Sequence, residues 1–381
     1  MSIGTQITPT GVSARMRLQD VLVVDLDIHP LDRPRDIAKF CDPPWREVLQ
    51  NEQPVPPYPT AGRQYPIFPG QYGLSPMKSP SADQMRQDLD DLGIDIGILF
   101  AQGFHTIGQQ PNVEYARALT TAHNRWQVED YLQGQRGFYG AIGVAPQDPE
   151  FSVREIERYA SDDRICGVMM PSQRLDPMWG HQKFDPIFDV CQRYGLPLLF
   201  HGGPPVQLAV PFDLRQFDTP FMYHTYTHNV LMLATVANLL ATGVPARYPD
   251  LRFVFIEAGI GFAAHLMLTL DRSWDDRRAD VPFLTERPSY YMRRQFYWGT
   301  QPIEEPEDLA DMAAIVRIIG PDNVVYASDW PHHDFDHPKK VWDIPLDLKT
   351  KRNILGETAM RILRLPARAR TELVPGKKLS S

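Results

Sequence analysis

Along most of the chain, short apolar runs alternate with longer stretches whose apolar residues recur every three or four positions. The apolar runs predict strands over 21–27, 94–100, 137–144, 165–170, 196–201, 251–257, 294–299 and 323–328. The three- and four-residue spacing, as at Ile156, Tyr159 and Ala160, predicts helices near 82–92, 112–133, 149–160, 182–194, 221–242, 262–277, 305–319 and 346–363. Asn112 and Asp185 are expected to cap helix starts, and Gly93, Gly195 and Gly320 to stop helices. Regular strand–helix alternation implies right-handed βαβ units and a parallel sheet. Eight units predict an α/β fold of the closed (β/α)8 TIM-barrel type. No Gly-x-Gly-x-x-Gly follows the first strand, so an open dinucleotide-binding sheet loses its main support.

Residues 1–18 read as a polar arm, 19–365 as the barrel and 366–381 as a C-terminal tail whose end, Pro375-Gly-Lys-Lys, looks loose. Two segments interrupt the alternation. Residues 30–81 are rich in Pro, Tyr and Trp with few helix signals, and are expected to form a long first βα loop that lids the rim or meets a second subunit. Residues 202–220 are expected to form a second rim loop. The charge balance, 39 basic against 47 acidic residues with no basic stripe, argues against nucleic acid or an anionic membrane as partner. Cys41, Cys166 and Cys191 are odd in number and not spaced for zinc, and read as reduced thiols of a cytoplasmic protein. No apolar run approaches a membrane span. The expected partners are a small-molecule substrate and further copies of the chain, as a homodimer or higher homo-oligomer.

The chemistry gathers where strands end. The first predicted strand finishes in Asp25-Leu-Asp27-Ile-His29, the fifth in Phe200-His201, the sixth in Ile256-Glu257, and the eighth in Ser328-Asp329-Trp-Pro-His332-His333. In a barrel of this kind the C-terminal strand ends share one rim, where active sites form. Strand side chains alternate, so Asp27 and His29 face the same way. Imidazole and carboxylate suit Zn²⁺, Mn²⁺ or Fe²⁺, and a hydrolytic site keeps one position open for water or substrate. Alone, Asp27 could cap a turn and His201 could be structural, but independent structural causes rarely place all five groups on one rim. His228, favoured over His224 one helical turn earlier, and His332 are candidates to contact substrate. Arg63, Arg174 and Arg215 are loop cations that could bind a substrate carboxylate. His105, His123, His181, His265 and His337 read as surface or packing residues, and Tyr290, Tyr291, Phe296, Tyr297 and Trp298 as core.

Five segments carry a family resemblance: Val24-Asp-Leu-Asp-Ile-His29, Phe200-His-Gly-Gly203, Tyr248 through Gly261 with Leu270-Asp-Arg272, Tyr326-Ala-Ser-Asp-Trp-Pro-His332, and Ile354 through Leu363. Together they resemble the amidohydrolase superfamily, in particular the amidohydrolase-related group typified by aminocarboxymuconate semialdehyde decarboxylase. The resemblance implies a (β/α)8 barrel with one divalent metal, Zn²⁺ or Mn²⁺, and maps the ligands onto Asp27, His29, His201 and Asp329. Two departures stand out. The first-strand motif, often His-x-His or Glu-x-His in that group, is Asp27-x-His29 here, so Asp27, His29 or both serve as ligands. Decarboxylases of the group usually carry a histidine at the end of strand six, where this chain has Glu257. A decarboxylase would then need His228 or His332 to protonate carbon, whereas Glu257 or Asp329 could serve hydrolysis as general base. The expected activity is therefore metal-dependent hydrolysis of a C–C or C–N bond in an aromatic or carboxylated small molecule. The alternative is non-oxidative decarboxylation of a phenolic or muconate-like acid, and a third possibility is an inactive barrel.

Overall fold

The computed structural model describes residues 16–30, 34–51, 81–101, 104–172, 175–202, 220–332 and 334–379. Eight strands form one parallel sheet in chain order: β1 Val24–Ile28, β2 Ile96–Leu99, β3 Phe138–Gly143, β4 Ile165–Pro171, β5 Leu198–His201, β6 Phe253–Ile256, β7 Phe296–Gly299 and β8 Val324–Val325. All eight match the strands expected from the apolar runs. Every strand residue is buried, because parallel strands covered on both faces need apolar groups on both. Between β8 and β1 the ring closes through a parallel bridge, Ile28 to Trp330. Two hydrogen bonds reinforce it: Leu26 N–H donates to Tyr326 O at 3.1 Å and His29 N–H to Trp330 O at 2.8 Å.

Alternate strand positions divide the core in two. Val168, Leu198, Phe200, Phe253, Phe255, Phe296 and Trp298 pack with helix residues such as Ile156, Phe188, Leu239 and Met267, and so face the outer layer. Val24, Leu26, Ile98, Ala141, Leu199, Val254, Ile256, Val325 and Ala327 form the other cluster, inside the ring. His201 and Asp329 continue the inward set, two residues beyond Leu199 and Ala327. On β1 the register against β2 shifts between Asp25 and Ile28. This irregularity lets Asp27 follow inward-facing Leu26 while Ile28 turns to the outer layer.

Helix starts and stops follow local chemistry. Asn112 accepts from Tyr115 N–H at a helix start, and Gly195 ends the helix Asp185–Tyr194 in the left-handed conformation at φ 64°. Asp185 is the first helical residue instead of the cap, and it pairs with Arg247 at 2.7 Å. A helix over Pro288–Gln295, ahead of β7, was not expected. Within the first insertion, residues Pro34–Ile37, Ala38–Phe40 and Trp45–Asn51 are helical, contrary to the expectation of few helices. Arg46, Glu47, Leu49 and Gln50 are all good helix formers, and the Pro and aromatic content around them hid that signal. Residues 52–80, Arg63 among them, lie outside the described residues.

The C-terminal segment is tied down where a loose tail was expected. Arg136 donates to Leu373 O at 2.8 Å, Tyr139 OH donates to Glu372 at 2.7 Å, and Lys377 pairs with buried Asp95. Of the five aromatic residues expected in the core, Tyr290 is half exposed, while Tyr291, Phe296, Tyr297 and Trp298 are buried. No helix among the described residues is long and apolar enough to cross a membrane.

Candidate metal centre

Four strand-end groups meet at the mouth of the barrel. His29 Nε2 lies 3.0 Å from Asp27 Oδ1 and 2.9 Å from Asp329 Oδ1, and His201 Nε2 lies 2.9 Å from Asp27 Oδ1. All four side chains are buried. The backbone fixes which nitrogen points inward. His29 Nδ1 donates to Phe100 O at 2.9 Å, and His201 Nδ1 donates to Gly202 O at 2.8 Å. A carbonyl only accepts, so each Nδ1 carries the proton and each Nε2 directs its lone pair at carboxylate oxygens. Lone pairs facing anions at 3 Å need positive charge between them: an added proton on imidazole or a shared cation. At His29 the distances are short, yet Nε2 makes no aligned hydrogen bond, and Asp27 Oδ2 is buried without a partner. With bonds of about 2.1 Å, donors around one ion stand about 3.0–3.4 Å apart. The residues present therefore fit a divalent metal.

Local folding puts the carboxylates in place at a cost. Glu257 and Asp329 adopt left-handed backbone, φ 58° and 61°, the only non-glycine residues among those described with positive φ. Such a conformation costs about 1–3 kcal/mol each and is retained where surrounding structure demands it. Around Asp329 that structure includes Ser328, whose N–H donates to Asp25 Oδ1 at 3.0 Å and whose hydroxyl accepts from Trp330 N–H at 3.1 Å. Gly202 lets β5 pass the end of β6: a Cβ there would lie 2.2 Å from Glu257 O.

Charges inside the cluster are strongly coupled. Burial alone would keep His29 neutral, but Asp27 and then Asp329 hold its pKa well above the ordinary value. His201 is raised in the same way, against burial, by Asp27 and Glu257. Asp329 is held well below the carboxylate range because His332 and His29 outweigh its burial. Burial, and then repulsion from Asp329, push Asp334 up to about 7.

Glu257 faces two imidazoles. Its Oε2 lies 3.2 Å from His201 Nδ1 and its Oε1 3.2 Å from His228 Nε2, which comes from the helix Pro220–Ala241. His332 sits against Asp329 through Nδ1 and stacks on His29, ring centres 4.5 Å apart. Asp27, His29, His201, Glu257, His228, Asp329 and His332 are thus one contiguous cluster. Arg174, Arg215 and His333 lie outside the described residues, as does the side chain of His224.

Three neighbours went unnoticed in the sequence. His105, expected to be a surface or packing residue, is buried against His201 and His29 with ring centres 4.1 Å and 5.4 Å away. Its place six residues past the end of β2 was the available signal. Gln301, just beyond β7, donates to Asp329 at 3.4 Å and to Asp334 at 3.2 Å. Asp334 belongs to the same acidic, histidine-bearing stretch as Asp329, but its orientation depends on the turn.

Comparison with known proteins agrees with this architecture. The chain is 24% identical over 261 residues to gamma-resorcylate decarboxylase from Polaromonas sp. (strain JS666 / ATCC BAA-500), covering 65% of this chain and 76% of that one. It is 22% identical over 272 residues to gamma-resorcylate decarboxylase from Rhizobium radiobacter, covering 68% and 80%. Among solved structures, 5-carboxyvanillate decarboxylase LigW from Sphingomonas paucimobilis superposes with a TM-score of 0.70 at 21% identity, over 91% of this chain and 100% of that one. Dihydroxybenzoic acid decarboxylase from Polaromonas sp. JS666, solved with manganese and the inhibitor 2-nitroresorcinol, superposes with a TM-score of 0.63 at 17% identity, over 90% and 96%. The model of the amidohydrolase family matches residues 24–365, nearly the whole barrel, and the chain is an enzyme of that family.

Proposed function

We propose that this enzyme is a metal-dependent carboxy-lyase that releases CO₂ from a hydroxylated aromatic acid. The observation that carries this is the His228–Glu257 pair. A histidine absent from strand six is supplied from the helix behind strand five, and Glu257 holds it 3.2 Å away beside His201. This arrangement supports decarboxylation over hydrolysis, in keeping with the aromatic-acid decarboxylases among the similar proteins.

Asp27, His29, His201 and Asp329 would hold one Mn²⁺ or Zn²⁺. When bound, the metal supplies a Lewis acid that fixes and polarises substrate oxygens. The remaining work belongs to side chains. His228, as imidazolium held at Nε2 by Glu257, gives its Nδ1 proton to the ring carbon that bears the carboxylate. The C–C bond then breaks, its electron pair returns to the ring, and CO₂ leaves. Asp329 is held as carboxylate by His332 and His29, and Phe100, beside His201 at 5.1 Å, gives the mouth an apolar wall.

The test is turnover of hydroxybenzoic acids such as 2,6-dihydroxybenzoate and 5-carboxyvanillate in deuterated water. The expected result is CO₂ release with one solvent deuterium on the vacated carbon. Uptake of ¹⁸O from water into an organic product, without CO₂, would replace decarboxylation by hydrolysis with Glu257 as base.

A further inference from the structure

We propose that His105 is a fifth protein donor of the centre, so that three imidazoles and two carboxylates hold the ion. The inference rests on the metal-centre reading above and adds a ligand from outside the strand ends. His105 lies on the helical turn Phe104–Gln109 behind β2. It is buried, and neither ring nitrogen has a hydrogen-bond partner. An imidazole always has a donor or a lone pair to satisfy, and leaving one buried and unmet costs about 1–3 kcal/mol. An apolar ring could fill the same space without that penalty, as Phe100 does beside His201.

The surrounding packing fixes His105 at the centre. Phe104 stacks on buried His123 at 4.2 Å and anchors the turn. The ring centres of His105, His201 and His29 are separated by 4.1, 5.0 and 5.4 Å. With metal–nitrogen bonds of about 2.1 Å, imidazoles sharing one ion have ring centres about 4–5.5 Å apart, and all three separations fall in that window. One donor atom from each of the three lies within 4.8 Å of the others. A donor atom within 4.8 Å of those of His29 and His201, no competing partner and spacing suited to one ion together assign His105 to the metal.

The deciding experiment uses full-length protein stripped of metal and reloaded with Mn²⁺. Pulsed EPR counts the ¹⁴N couplings to Mn²⁺ in wild type, His105→Ala and His105→Phe. Three coordinated imidazoles in wild type and two in either variant are expected, with the Kd for Mn²⁺ raised at least about tenfold. Two imidazoles in wild type, or the same count in the variants, would overturn the inference and leave the four-donor centre standing. A protein that binds no Mn²⁺ would overturn both. His105→Phe keeps a ring in the packing if alanine loosens the fold, and the wild-type count decides without any variant.

Discussion

Glu257→Gln removes one charge from the site and nearly nothing else. The carboxylate lies 3.2 Å from two imidazoles, one by each oxygen, whereas the amide has one oxygen and turns an N–H₂ toward the second ring. At an effective dielectric of 20, unit charges at this separation interact by about 5 kcal/mol, an upper limit for what the imidazolium of His228 loses. A hydrogen bond to the amide and rearranged water return part of it, leaving about 1.5–3 kcal/mol. If His228 protonates carbon in the rate-limiting step, kcat falls about 10- to 150-fold. KM changes little, because Glu257 acts through His228 and does not itself hold the substrate. Metal content stays at the wild-type level, since Glu257 is not among the donors. The assay is steady-state CO₂ release with elemental analysis of the same samples. A His228→Ala variant should lose at least as much, and the double variant should lose less than the product of the two single losses. A kcat within about twofold of wild type, at equal metal content, would refute the role given to the pair.

Two further outcomes follow from the geometry. Gly202→Ala places a Cβ 2.2 Å from Glu257 O; the strand ends must part, at about 1–3 kcal/mol of stability, and an unchanged denaturant midpoint would contradict the close approach. pH tests the charge balance. His29 is raised above its ordinary value, so its pairing stabilises the stripped protein fully below about pH 6.5 and is lost as pH rises through the folded pKa. Asp329 is depressed, so its contribution is present above about pH 4 and is lost as pH falls. Metal must displace the His29 proton, so thermal protection by Mn²⁺ should be larger at pH 8.5 than at pH 6. Equal protection at both would show that His29 carries no proton to displace.

The sequence exposed those parts of the molecule whose physics is local. Strands of a parallel barrel are buried on both faces, so β5 and β6 stand out as unbroken apolar runs, and the groups that end them fall on one rim. Asp27, His29, His201 and Asp329 were legible for that reason. His105 was not, because its position depends on how the turn Phe104–Gln109 folds back over the mouth, and no strand period reports that. The sequence leaves the histidine that would protonate carbon open between His228 and His332; it does not show that the helix Pro220–Ala241 sets His228 against Glu257. The left-handed turns at Glu257 and Asp329 carry no glycine to announce them. The docked segment after residue 366 depends on partners such as Asp95 and Arg136, more than two hundred residues away in the chain.

The metal reading places one divalent ion among Asp27, His29, His201 and Asp329. Elemental analysis of freshly purified protein beside the His201→Ala variant tests it most directly. About one equivalent of manganese or zinc is expected in the wild type and little in the variant, with the far-UV circular dichroism of the two superimposable. Equal metal in both, or none in the wild type after incubation with Mn²⁺ and Zn²⁺, would contradict it.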